Sequence, residues 1–182
     1  MRKALIVIDV QNDYFERGAF PLYQPEKALA NILLLVEKYV QEGRPIYFIQ
    51  HINKSKGSTF FLPDTLGVQL HSSLEPFLSS QRIYTIEKAY PNSFLQTDLQ
   101  DKLRGQKINN LTICGMMTHM CVDSTTRQAS DLGYPVQLIS DACTTRDLSF
   151  GKTAISAINV QNAFLSALSS FAKVESTSAF LS

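Results

Sequence analysis

Eight residues near the start of the chain, Lys3 to Val10 (KALIVIDV), restrict its fold more than any other segment. The run is almost continuously aliphatic, whereas a strand with one wet face alternates apolar and polar residues. It suits a strand covered on both faces, as in a parallel sheet. Comparable strands are expected at Pro45 to His51, Arg82 to Lys88, Lys107 to Cys114, Pro135 to Asp141 and Ala172 to Ser176. Helices are expected between them. Pro25 to Gly43 places Leu29, Ile32, Leu33, Val36 and Val40 at i, i+3, i+4 spacing, with Pro25 in the first turn and Gly43 past the last. The others run from Phe94 to Leu103, Met120 to Leu132 and Gly151 to Phe171. Strands alternating with helices imply right-handed crossovers, and so an α/β fold with a parallel sheet between two helical layers. Asn53 to Pro76 is polar and turn-rich, and reads as a long excursion of the kind often used for function.

Composition narrows the partners. A chain of 182 residues, 45% hydrophobic and 18% charged, suits one soluble globular domain spanning 1–182. A net charge of +1 provides no basic field for nucleic acid or an anionic membrane. Asp9 interrupts the N-terminal apolar run, no cleavage-site pattern follows it, and no stretch approaches the roughly 18 apolar residues of a membrane span. Three cysteines without regular spacing make no disulfide framework, so a reducing, cytoplasmic setting is expected.

In parallel sheets, ligands bind beyond the carboxyl ends of the strands. Three reactive side chains fall there: Asp9 after the first strand, Lys88 after the third and Cys121 just past the fourth. Each has a plainer reading alone. An acid ending an aliphatic strand needs some partner, most strand-end lysines are solvated, and free cysteine is among the most buried residue types. Together they describe an activated thiol. A neighbouring ammonium and a helix N-terminus lower a thiol pKa from about 8.5 to roughly 3.5–7.5. Lys88 would supply the cation, and Asp9 would take the thiol proton and return it to a leaving nitrogen. The backbone N–H groups of Met117 and Cys121 are the candidate oxyanion donors. Asp13 reads as a turn or cap residue, His71 and His119 as structural or solvated, Cys114 as packing, and Cys143 receives no role.

The segments IDVQNDY around Asp9, KAYPNSF around Lys88 and GMMTHMCVDSTTRQASDLGYPVQLISDA around Cys121 resemble the isochorismatase-like cysteine hydrolases. These include nicotinamidases, N-carbamoylsarcosine amidases and ureidoacrylate amidohydrolases. The resemblance covers essentially the whole chain. It implies a six-stranded parallel sheet in the order 3-2-1-4-5-6 and a triad falling on Asp9, Lys88 and Cys121. A cis peptide between Met116 and Met117 is also implied. So are substrate contacts from Gln11 and Tyr14, closure by Phe94, and a homo-oligomer with the excursion as a candidate contact surface.

Two departures sharpen the expectation. Nicotinamidases carry a metal on an Asp and histidines after the second strand, whereas FIQHINKSKGSTFF has one histidine and no acid. No metal and no cofactor are therefore expected, and His51 either lines the pocket or bonds a backbone group. Isochorismatases cleave a vinyl ether and lack the cysteine, so Cys121 points to the amidohydrolase branch. The expected function is hydrolysis of a small amide, ureido or carbamoyl compound through a thioester. The alternatives are an ether- or ester-cleaving hydrolase on this scaffold, or a non-catalytic thiol-redox or binding protein, although no resolving cysteine stands at motif spacing.

Overall fold

β1 (Lys3–Ile8) lies inside the main sheet, flanked in parallel by β2 (Ile46–His51) and β4 (Asn110–Met116) in the computed structural model, which describes residues 2–182. The remaining strands are β3 (Ile83–Lys88), β5 (Val136–Thr144), a hairpin of β6 (Leu148–Phe150) and β7 (Thr153–Ile155), and β8 (Lys173–Glu175). The helices are α1 (Pro25–Gln41), α2 (Glu75–Leu78), α3 (Leu99–Gly105), α4 (Asp123–Asp131), α5 (Ala157–Leu168) and α6 (Thr177–Leu181). The main sheet runs β3-β2-β1-β4-β5-β8, all parallel. Counting only its own six strands, this is the order 3-2-1-4-5-6 that the resemblance implies.

Alternation along β1 divides the core. Leu5 and Val7 join a cluster with Ile32, Leu35 and Val36 of α1 and with Phe180 of α6. Ala4, Ile6 and Ile8 face the other way, onto Leu99 and Leu103 of α3, Ala129 of α4 and Leu168 of α5. Both faces of the strand are dry, which is why the sequence there does not alternate.

Several elements depart from the sequence expectation: the helix expected over Phe94 to Leu103 runs from Leu99 to Gly105, and the strand expected over Lys107 to Cys114 runs from Asn110 to Met116. The helix expected over Gly151 to Phe171 begins only at Ala157, after the β6–β7 hairpin. Ser156 caps it by accepting from the Asn159 N–H, and the Asp147 carboxylate accepts from the Ala157 N–H at 2.7 Å. Those two acceptors fix the helix start, and β-branched Thr153 and Ile155 extend the chain before it. β5 continues past Asp141 to Thr144, pairing Gly115 with Cys143 and Met116 with Thr144 beyond a register shift. The helix expected from Met120 instead opens as a single π-helical turn, Thr118–Val122.

The 53–76 excursion folds back onto the loop after β1. Val10 accepts from the His71 N–H, and Gln11 bridges to Leu70. Asp13, buried within that loop, accepts from the Ala19 N–H at 3.0 Å and the Phe61 N–H at 2.6 Å. It therefore ties two segments together rather than capping one. Gly67 lies so close that a Cβ there would fall 2.0 Å from Asp13 Oδ1.

Gly115 is the tightest point of the sheet. Its φ is +124°, and a Cβ would lie 2.1 Å from the Ile8 carbonyl oxygen, a backbone atom that cannot rotate aside. Gly115→Ala should therefore lower unfolding free energy by about 3 kcal/mol or more in urea titration. A loss below 1 kcal/mol would contradict this account of the β1–β4 contact.

Candidate active site

Parallel pairing brings four side chains to one edge. Asp9 follows the last residue of β1, and its N–H donates to the Ile49 carbonyl of β2. His51 and Lys88 end β2 and β3 and stand opposite each other in register. Cys121 sits in the π-turn after β4, entered through a cis peptide between Met116 and Met117. The Met117 carbonyl accepts from the N–H groups of Met120 and Val122, and the Thr118 hydroxyl reaches the Thr144 carbonyl. The turn is thereby fastened to β5.

Lys88 is the hub. Its Nζ donates to Asp9 Oδ2 at 2.8 Å, to His51 Nδ1 at 2.8 Å and to Cys121 Sγ at 3.2 Å. An ammonium has three N–H bonds, and three acceptors take them. The side chains of Lys88 and Asp9 are wholly out of solvent. Asp9 Oδ1, equally buried, has no hydrogen-bond partner among the described residues.

Burial and charge set the protonation states. Burial disfavours the Lys88 ammonium, but the Asp9 carboxylate and Cys121 outweigh it and hold the pKa above the usual lysine value. His51 is pushed down to about 4, first by burial and then by the Lys88 charge, with Asp9 opposing. It is neutral near pH 7 and accepts from Lys88 through Nδ1. The Cys121 thiol is pushed up, mainly by burial and further by Asp9, with Lys88 pulling it back. This differs from the lowered thiol pKa expected from the sequence. Desolvation outweighs the ammonium, so Cys121 rests as a protonated thiol.

The other sequence candidates separate into two groups. Gln11 is fully buried, and its amide is consumed by backbone. Its Nε2 donates to the carbonyls of His51 (2.9 Å) and Val68 (2.7 Å), and its Oε1 accepts from the His51 N–H (2.8 Å). It clamps His51 in place rather than presenting a polar group to the crevice. Tyr14 packs on Phe61 with ring centroids 4.5 Å apart, and also touches Phe20 and Phe60. Burial raises its hydroxyl pKa well above normal, and the charges of Cys121 and Asp9 add to the effect. Phe94 is half-buried against the core cluster that contains Cys121. Met117 and Cys121 are both nearly inaccessible.

The two readings left open for His51 resolve toward the site, because its ring bonds Lys88. The signal was its place at a strand end, although no motif marked it. Ser93 and Thr125 form another link that sequence reasoning missed. The Thr125 hydroxyl accepts from the Ser93 N–H and pairs with the Ser93 hydroxyl, joining the segment after β3 to α4. His119 bonds Thr145 and meets the edge of Phe164, and Cys114 is packed inside β4. Cys143 lines a surface cavity of about 380 Å³ between α1 and α5, which none of Asp9, Lys88 or Cys121 borders.

Asp9, His51 and Cys121 also place three potential ligand atoms within 4.8 Å of one another. That donor set differs from the Asp-and-histidines site of nicotinamidases. Lys88 Nζ already bonds one atom of each of the three residues, so a resident metal does not fit the cluster as it stands.

The isochorismatase domain family matches residues 3–177. The chain belongs to the isochorismatase family. It is 42% identical over 182 residues to the uncharacterized isochorismatase family protein YddQ of Bacillus subtilis, covering 100% of this chain and 99% of that protein. Streptothricin hydrolase of Streptomyces noursei is 30% identical over 146 residues, covering 80% of this chain but only 51% of that longer protein. A crystal structure assigned as an isochorismatase hydrolase from Oleispira antarctica superposes with a TM-score of 0.92 and 38% identity, covering 98% and 95% of the two chains. Nicotinamidase of Bacillus subtilis superposes with a TM-score of 0.80 and 25% identity, covering 96% and 99%. The family and its relatives support a hydrolase. No helix of the described residues is long and apolar enough to cross a membrane.

The neutral His51 carries a pH signature. An unfolded imidazole takes up a proton near pH 6.5, while the folded one resists until about 4. His51 therefore withdraws stability as pH falls from about 6.5 to 4 and has no such effect above that window. Urea midpoints measured at pH 7 and pH 4.5 should drop further for the native chain than for His51→Gln. Equal drops would remove His51 from this role.

Proposed function

We propose that the protein hydrolyses a small linear amide, ureido or carbamoyl compound through a covalent thioester on Cys121. The observation carrying this reading is the ammonium of Lys88 bridging Asp9 Oδ2 and Cys121 Sγ, with Asp9 Oδ1 buried and unpartnered beside them. A thiol that rests protonated needs a base at the moment of attack, and Asp9 Oδ1 has free lone pairs for that proton.

The steps follow from these positions. Cys121 Sγ attacks the substrate carbonyl carbon as its proton passes to Asp9 Oδ1. Lys88 faces the growing negative charge on sulfur without transferring a proton itself. The tetrahedral oxyanion is taken by the N–H groups of Met117 and Cys121, each worth about 10²–10³ in rate by comparison with other oxyanion holes. Collapse breaks the carbon–nitrogen bond, and Asp9 delivers its proton to the departing nitrogen. Water, deprotonated by Asp9, then cleaves the thioester and restores the thiol.

Tyr14 and Phe94, on opposite sides of the sheet edge, are the substrate-facing surfaces in this reading, and both are apolar in their bulk. His51 holds Lys88, and Gln11 holds His51. Nicotinamidase, a relative named for an amide substrate, favours a nitrogen leaving group over an ether. The reading also includes a cytoplasmic setting and self-association, the latter checked by a light-scattering mass above the 20.4 kDa of one chain.

Incubation with a panel of small amides, ureido and carbamoyl acids should release ammonia or amine, and acid quenching should trap an acyl adduct on Cys121 by intact mass. Cys121→Ala should lose turnover on the order of 10⁵-fold, and Asp9→Asn about 10²–10⁴-fold. Full turnover in Asp9→Asn would remove the proposed base. Iodoacetamide should label Cys121 more slowly than free cysteine at pH 7 while turnover persists. Faster labelling would instead indicate a preformed thiolate.

A further inference from the structure

The cluster around Lys88 has the composition of a metal site in which an amino acid supplies the cation. Asp9 offers a carboxylate oxygen, His51 a ring nitrogen and Cys121 a sulfur, all within 4.8 Å of one another. Three protein ligands of this kind are what a zinc centre uses when its fourth position is left to water. A tetrahedral zinc with bonds of about 2.0–2.3 Å holds its ligands roughly 3.3–3.7 Å apart, so small side-chain rotations would close the set. His51 is held in place by Gln11, which fixes its backbone N–H and C=O at once. Asp9 Oδ1 is buried and lacks a partner, so it can accept a further bond.

We propose that Asp9, His51 and Cys121 form a latent binding site for a thiophilic divalent cation, zinc above all, which the Lys88 ammonium keeps closed. The ammonium bonds one atom of each of the three candidate ligand residues: Asp9 Oδ2, His51 Nδ1 and Cys121 Sγ. A divalent ion cannot enter without driving it out, and it would then face a second positive charge in a buried site. Lys88 thus has a second task beside the thiol: it keeps metals off the nucleophile. The site is distinct from the Asp-and-histidines metal set of nicotinamidases, because two of its three ligands are the proposed base and nucleophile themselves. Coordination replaces the S–H bond of Cys121 by an S–metal bond and releases that proton to solvent.

The test uses the full chain and zinc or cobalt(II) alone, with no substrate. Lys88→Ala should bind one zinc per chain about 100-fold or more tighter than the native protein in isothermal titration. Its cobalt(II) form should show the intense visible bands of a tetrahedral site together with sulfur-to-metal charge transfer. Adding His51→Ala should weaken binding by about 10–100-fold, and adding Cys121→Ala should remove the charge-transfer band. Equal affinity for the native chain and Lys88→Ala would overturn the proposal. So would binding that survives loss of both His51 and Cys121. Lys88→Ala leaves Asp9 without its counter-ion, so zinc-dependent melting gives a second measurement. Zinc should raise the melting temperature of Lys88→Ala and of Lys88→Gln, and leave that of Lys88→Ala with Cys121→Ala unchanged. No rise in either single variant would also overturn the proposal. None of these readouts depends on amide turnover, so the metal site and the hydrolase reading can fail separately.

Discussion

A single ammonium group, buried at the carboxyl edge of the sheet, holds the candidate site together. Removing one partner from a buried ion pair costs about 3–5 kcal/mol, because the partner left behind is charged and dry. The Lys88–Asp9 pair therefore needs both strands to end where they do. β1 and β3 are not neighbours, and β2 lies between them. Its last residue, His51, stands in register with Lys88 and supplies the neutral acceptor that completes the ammonium's shell. A one-residue slip of β3 against β2 would turn Lys88 to the opposite face and break all three bonds together. Register, ion pair and site are thus one constraint seen at three scales.

Much of the fold is legible in the aliphatic runs. KALIVIDV has no polar face, so it can sit only between two layers, and the sheet places helices on both sides of it. Strand-to-helix alternation supplies the parallel topology, and the resemblance supplies the strand order. The misplaced boundaries depend on contacts that hydrophobic periodicity does not encode. Asp147 and Ser156 start α5 six residues later than the hydrophobic spacing suggests. The bulge that lets β5 run on to Thr144 involves pairing with β4, which no pattern within either segment reveals.

The site divides in the same way. Asp9, Lys88 and Cys121 are visible as reactive groups near strand ends, and the structure brings them within hydrogen-bonding reach of one hub. Protonation was not visible. An ammonium and a helix start both lower a thiol pKa, but the degree of burial decides between them and the ordinary value. Only three-dimensional packing sets that burial. Gln11 shows the same limit. The resemblance implies a ligand-facing amide there, yet the 53–76 excursion returns to claim it through Val68.

That excursion is fastened to the loop after β1 through the Gln11 amide, the Asp13 carboxylate and the Val10 carbonyl. Those attachments follow Asp9 on the same short stretch of chain, and Phe60 and Phe61 pack onto Tyr14 beside them, while the Leu66 side chain stands in solvent. One part of the excursion is anchored to the reactive edge and another is free to vary in length and side chain. Residues between the anchor points can therefore be exchanged over evolutionary time to admit a differently shaped molecule, with Asp9, Lys88 and Cys121 left at their original spacing.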